Sequence, residues 1–208
     1  MMRPLVLINS DNESKIAYSI QTVGESLWYT LDRIKNGWMR QESINSEDMK
    51  VFIGRAANEM GREFEKKVSN RLFELGWTFT RENIELSSLG APKKLGDVDV
   101  FAWTSNGNEM LVIECKRLRP ARTVGEIGEQ LNEFQGEAKD SLGRHLQRIN
   151  WIQSNSKAVS RYFGLSTIKK FTPLLVTNTV VPMQFITGLP LNQEEILPFG
   201  SLETLRRP

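Results

Sequence analysis

The sequence has a single cysteine and a single histidine. One cysteine excludes an internal disulfide framework and a cysteine-rich zinc site, and one histidine excludes metal chemistry built on a histidine cluster. Long apolar runs are absent as well. Nothing approaches the roughly 20 consecutive apolar residues of a membrane span, and the first ten residues lack the basic start and long apolar core of a secretory signal. The expectation is therefore a cytoplasmic protein that makes no use of a membrane. An excess of charge of one sign is also missing. With 27 Lys and Arg against 25 Asp and Glu, the net charge is +2, so any affinity for nucleic acid must come from local clustering. A chain of 208 residues with 39% hydrophobic and 25% charged residues suffices for one well-buried core with a small appendage.

The informative residues are concentrated in 95–118, LGDVDVFAWTSNGNEMLVIECKRL. Two apolar runs, 98–103 and 110–113, flank Thr104-Ser105-Asn106-Gly107-Asn108, and Asn-Gly between β-prone runs predicts a hairpin because the primed turn needs positive φ. Alternation along a strand gives Glu114 and Lys116 one face and sends Cys115 to the other with Ile113. Asp97 and Asp99 likewise share a face, and antiparallel pairing brings one of them beside Glu114 and Lys116. Periodicity alone does not choose between the two aspartates. Carboxylates that close together raise a pKa or recruit a cation. Hard oxygen donors in small number suit Mg²⁺, which keeps waters and substrate phosphates in its shell. The plainer reading of Glu114 and Lys116 is a surface ion pair contributing at most about 1 kcal/mol.

Gly96-Asp97-Val98-Asp99-Val100, a hairpin, and Ile113-Glu114-Cys115-Lys116 together resemble the PD-(D/E)xK nuclease superfamily, with Val98 where the family name has proline. The resemblance implies a restriction-endonuclease-like core. It favours Asp99 over Asp97 and makes Asp99 and Glu114 metal ligands, with the Cys115 carbonyl as a further ligand and Lys116 orienting or activating the attacking water. The metal implied is Mg²⁺, or Mn²⁺ in its place. Gly61-Arg62-Glu63-Phe64-Glu65-Lys66-Lys67-Val68 is similar to the family's first-helix motif, by which Glu65 joins the site. Gln130-Leu131-Asn132-Glu133-Phe134 resembles the Gln-x-x-x-Tyr element of the exonuclease-like branches, with Phe for Tyr, and by that match Gln130 borders the site.

The remaining chain reads as support. Apolar residues Val23, Leu27, Leu31 and Ile34 at helical spacing predict a packing helix that stops at Asn36-Gly37. A long helix is expected from Ser46-Glu47-Asp48 to Leu75, with Phe64, Val68, Leu72 and Leu75 as its apolar stripe and Gly76 as its stop. A strand over 77–82 and a polar loop carrying Lys93 and Lys94 lead into the hairpin. Beyond Lys116, the run Arg117, Arg119 and Arg122 and a capping box at Thr123 and Glu126 make a basic strand end beside a helix N-terminus. Lys94, Arg117, Arg119 and Arg122 are the candidate nucleic-acid contacts. A helix over 138–163 follows, placing Arg144, His145 and Arg148 near one face, with His145 expected at the surface. Then come a strand over 171–177 and a proline-punctuated tail of loops and short extended pieces.

The expected fold is α/β: a mixed central sheet flanked by helices over residues 46–208, with a helical and extended N-terminal segment over 1–45. The expected activity is Mg²⁺-dependent hydrolysis of phosphodiester bonds in DNA. The competing readings are a non-catalytic nucleic-acid-binding or interaction module, and a subunit of a larger restriction, transposition or phage-defence complex. Trp28 and Trp38 leave room for a partner subunit, and cutting both strands of a duplex favours a homodimer.

Overall fold

The computed structural model describes residues 5–10, 13–39, 41–105, 107–121 and 123–207. The chain divides into two compact units, Met1–Met60 and Gly61–Pro208. In the first, strands β1 (Leu5–Ser10) and β2 (Glu13–Tyr18) pair antiparallel from Leu5↔Tyr18 to Ser10↔Glu13. Helix α1 (Ile20–Lys35) follows, and helix α2 (Glu47–Glu74) begins in this unit and ends in the next. The apolar residues Leu5, Val6, Leu7 and Ile8 thus belong to one strand of a hairpin. The helix predicted to pack forms, but it buries none of its residues: Leu27, Trp28 and Leu31 remain 58%, 72% and 46% exposed. Its stop is enforced sterically. Gly37 has φ +69°, and a Cβ there would lie 2.5 Å from the backbone of Ala57.

The second unit carries the mixed sheet that the sequence predicts. Its strands are β3 (Phe79–Glu85), β4 (Asp97–Trp103), β5 (Glu109–Lys116), β6 (Lys170–Thr177) and β7 (Ile196–Pro198), in that spatial order. The β3–β4 and β4–β5 pairs are antiparallel; β5–β6 and β6–β7 are parallel. Helices α3 (Val124–Asn132), α4 (Ser141–Ser154) and α5 (Ser156–Tyr162) supply the crossover that parallel pairing of β5 and β6 demands. Among the described residues, no helix is long and apolar enough to cross a membrane.

Strand alternation divides the core. Val100, Ala102, Leu111 and Ile113 face Phe64, Val68 and Leu72 of α2 and Leu75 just beyond it, each of which stabilises by about 1.5–3 kcal/mol on burial. Phe101, Trp103, Met110 and Val112 pack with Ile149, Ile152 and Val159 of α4 and α5. Helix α2 ends as predicted at Gly76, φ +94°, where Trp77 N–H reaches back to the Leu72 carbonyl at 3.1 Å.

Three expectations shift. The strand placed over 77–82 begins at Phe79, because Trp77 is a core residue whose Nε1 donates to the Leu205 carbonyl. The single helix placed over 138–163 starts at Ser141, where Asp140 caps Gly143 N–H at 2.6 Å, and breaks at Asn155 into α4 and α5. The tail contributes a real strand, β7, whose Pro198 is tolerable because it lies on the sheet edge.

Candidate active site

The β4–β5 ladder runs from Trp103↔Met110 to Val100↔Ile113. One step further would set Asp99 against Glu114, and there the regular pairing ends. The Cys115 N–H turns instead to the Asp99 side chain, donating to Oδ2 at 2.7 Å. On its other edge β5 continues pairing with β6 as far as Lys116↔Thr177. The result is a fork with one acid on each prong.

Glu114 is only 4% exposed. Its strand neighbours Met110 and Val112 pack on α4, so its carboxylate enters the layer between sheet and helix, where three side chains meet it. Lys116 Nζ lies 2.7 Å from Oε1, Arg148 Nη1 lies 2.5 Å from Oε2, and His145 Nδ1 lies 3.9 Å from Oε2. His145 and Arg148 share a helix face by their spacing of three. Arg148 also donates from Nε to the Leu95 carbonyl at 2.8 Å, which ties the turn before β4 to the acid on β5.

The electrostatics follow from this crowding. Burial pushes the Asp99 carboxyl up, and the Glu114 charge adds to it; the Cys115 N–H and Lys116 counter only in part, leaving it at about 7. Burial also pushes Glu114 up, but Lys116 and Arg148 outweigh that and hold it below the usual carboxylate range. Burial lowers Lys116, while Glu114 and Asp99 outweigh it and keep the ammonium charged above its ordinary value. Burial drives His145 down to about 4, so the ring is neutral at physiological pH. Glu65 is raised chiefly by burial, against a 2.8 Å hydrogen bond from Asn83, and the Asp97 charge adds to the rise. Asn83 sits at φ +52°, a conformation asparagine tolerates better than most residues.

The structure thus gathers Asp99, Glu114, Lys116 and the Cys115 backbone, with Glu65 close enough for its charge to raise Asp99 further. Cys115 itself is buried, and burial pushes its thiol well above the ordinary range. Asp97 pairs across the sheet with Glu85. Gln130 donates to the Arg119 carbonyl at 2.5 Å, fixing the loop after β5. Among the basic candidates, Lys94 is exposed on a short turn, Lys93–Leu95. Arg117 is partly buried, which lowers its pKa against the pull of Glu63, and Arg119 pairs with Glu126 at 2.5 Å. Glu126 N–H bonds the Thr123 hydroxyl at 3.2 Å, so the helix cap is formed. Arg122 and the turn residue Asn106 lie outside the described residues.

The expectation that His145 lies at the surface is corrected: it is 1% exposed, and among the described residues neither ring nitrogen has a hydrogen-bond partner. Arg148 was visible in sequence only as one member of a basic helix face. The signal that could have singled it out is a buried glutamate that needs more than one countercharge.

A family profile described as "Anti-phage protein Upx-like" matches residues 1–196. The chain belongs to the Upx-like anti-phage protein family. This membership assigns it to phage defence, and the match takes in β1, β2 and α1 together with the acids of β4 and β5. No curated protein and no solved structure matches the chain.

Proposed function

We propose that this Upx-like protein is a divalent-metal-dependent nuclease that hydrolyses phosphodiester bonds of phage DNA, with its centre at the fork between β4 and β5. The observation that carries this reading is the acid pair at the end of the ladder: Asp99 is raised to about 7 beside a Glu114 that stays ionised. A second charge in that position is unfavourable unless a cation accompanies it. The donor chemistry fits Mg²⁺. Asp99, Glu114 and the Cys115 carbonyl are hard oxygens, and although no three His, Cys, Asp or Glu side chains among the described residues form a ready-made cage, Mg²⁺ is commonly held by one or two carboxylates with waters and phosphates completing its shell. Asp99 and Glu114 would hold the ion, which when bound polarises the scissile phosphate and offsets its charge.

The protein's own groups do the rest. Lys116, held 2.7 Å from Glu114 and kept protonated by it, orients the attacking water and stabilises negative charge as it develops. Arg148 neutralises Glu114 from the helix side, and Glu65, raised by burial, takes up a proton more readily than an ordinary glutamate. Lys94 and Arg117 would position the backbone of the nucleic acid. The resemblance of these residues to the PD-(D/E)xK pattern supports the reading.

The test is cleavage of supercoiled plasmid, linear duplex and single-stranded DNA with Mg²⁺, Mn²⁺ or EDTA, comparing the wild type with Glu114→Ala. Metal-dependent cutting that the substitution abolishes supports the proposal; cutting that survives Asp99→Ala or Lys116→Ala overturns it. One observation favours a second reading. Both Glu114 oxygens are already engaged by cations of the chain itself, as in a structural ion cluster. No cutting by either protein, with phage protection intact in Glu114→Ala cells, would favour a non-catalytic subunit of a defence complex.

A further inference from the structure

Immediately beyond Lys116 the structure opens into a cavity of about 500 Å³. Its position follows from topology. β5 and β6 are parallel neighbours that end together at Lys116↔Thr177, and crevices outside the carboxyl ends of parallel strands are where α/β sheets bind ligands. The loop after β5 supplies Arg119 to one wall, the loop after β6 supplies Val180 and Phe185 to another, and α3 closes the space with Ile127 and Gln130. The two loops are pinned at their roots: Leu118 N–H donates to Asn178 Oδ1 at 2.6 Å, and Asn178 N–H donates to the Lys116 carbonyl at 3.2 Å. Arg119 is three residues from Lys116, hence within about 11 Å of it along the chain.

The chemistry of the walls selects an occupant. Phe185 is 73% exposed and Val180 60% exposed, so an aromatic face and an aliphatic face lie uncovered. The Arg119 guanidinium is balanced by Glu126, which leaves the cavity without a strong net field. Gln130 lines the same space and donates its amide N–H to the Arg119 carbonyl, which adds a polar edge to the wall. A flat aromatic ring with polar edges fits this lining, and such stacking is tolerant of sequence. A base inside a duplex is already stacked on both faces and cannot enter.

We propose that this cavity is a nucleobase site that receives an unpaired base of the strand held at Glu114 and Lys116, which makes single-stranded or frayed DNA the substrate class. The inference rests on the phosphodiester reading of that site. The same ring chemistry could come from a free nucleotide, so the experiment carries an arm for each source.

The experiment is equilibrium binding in EDTA of a fluorescent single-stranded oligodeoxynucleotide, its abasic counterpart and its duplex, with a deoxynucleoside monophosphate as competitor. Wild type, Phe185→Ala and Phe185→Tyr are compared; the exposed Phe185 can be changed without disturbing the core. The wild type is expected to prefer the single strand. Phe185→Ala is expected to weaken it about 5- to 150-fold, Phe185→Tyr to retain it, and the abasic strand to be insensitive to both substitutions. Equal losses on normal and abasic strands, no loss in Phe185→Ala, or no preference for single strand over duplex would overturn the proposal. Binding of the monophosphate but not of the oligonucleotide would overturn the substrate class and assign the cavity to free nucleotide. Because no cleavage is read, a failure here is distinct from a failure to cut in the plasmid assay.

Discussion

Asp99→Asn removes a charge from beside Glu114 while keeping an oxygen able to accept the Cys115 N–H. In the folded protein the Asp99 carboxyl is raised from 3.8 to about 7 by burial and by Glu114. The folded state therefore binds a proton that the unfolded state releases, and stability from this group is fully present below about pH 4 and lost as pH rises to about 7. At about 1.4 kcal/mol per pKa unit, the loss is bounded at about 4 kcal/mol, and solvent relaxation around the partly open fork reduces it to about 1–3 kcal/mol. Asparagine cannot ionise, so without metal the variant should exceed the wild type by that amount at about pH 8 and match it near pH 4. For a chain of this size the gain corresponds to a rise in Tm of about 2–10 °C. His145 works in the opposite sense: lowered from 6.5 to about 4, it makes the fold more stable as pH rises through that window. The two trends offset each other in the wild type below about pH 6.5, and Asp99→Asn should leave the His145 rise less opposed. Thermal unfolding across pH, with and without Mg²⁺, reads all of this. A variant less stable than the wild type at about pH 8, or a gap that does not change with pH, would refute the reasoning; Mg²⁺ should stabilise the wild type more than the variant.

Arg148→Ala leaves Glu114 buried with one countercharge fewer and frees the Leu95 carbonyl, so it should cost about 3–5 kcal/mol in denaturant unfolding, with Arg148→Lys recovering part of the loss. His145, the only histidine in the chain, should give a single imidazole signal in NMR that titrates near pH 4 rather than 6.5. His145→Phe should be tolerated to within about 1.5 kcal/mol, since no hydrogen bond to a described residue is lost. Leu72→Ala, at a position with no exposure between α2 and the sheet, should cost about 2–5 kcal/mol through cavity formation, measured by the same unfolding.

The hairpin of β4 and β5, the face shared by Glu114 and Lys116, and the end of α2 at Gly76 were all legible because each is set by local rules: a two-residue alternation, a turn needing positive φ, a glycine at a helix terminus. The choice between Asp97 and Asp99 was not, because both satisfy the same alternation. It depends on where the ladder to β5 ends, and that is a property of two strands, not one. His145 misled for a similar reason. A lone histidine on a basic helix face reads as solvated, and only the docking of α4 over Glu114 shows it enclosed.

By itself, then, the sequence determined the central elements from α2 to β6 in kind and order and the charged residues available for chemistry, since these follow from periodicity and residue type along the chain, while the N-terminal hairpin, the break between α4 and α5 and the edge strand β7 did not show in it. Tertiary structure alone decided which charges meet. Arg148 lies 34 residues from Glu114 and Gln130 belongs to the loop at Arg119, 11 residues away. The cavity beyond Lys116 exists because β6 returns parallel to β5. Such juxtapositions come from non-local packing, in which burial of distant apolar faces fixes which polar groups share a space too dry to leave them unpaired.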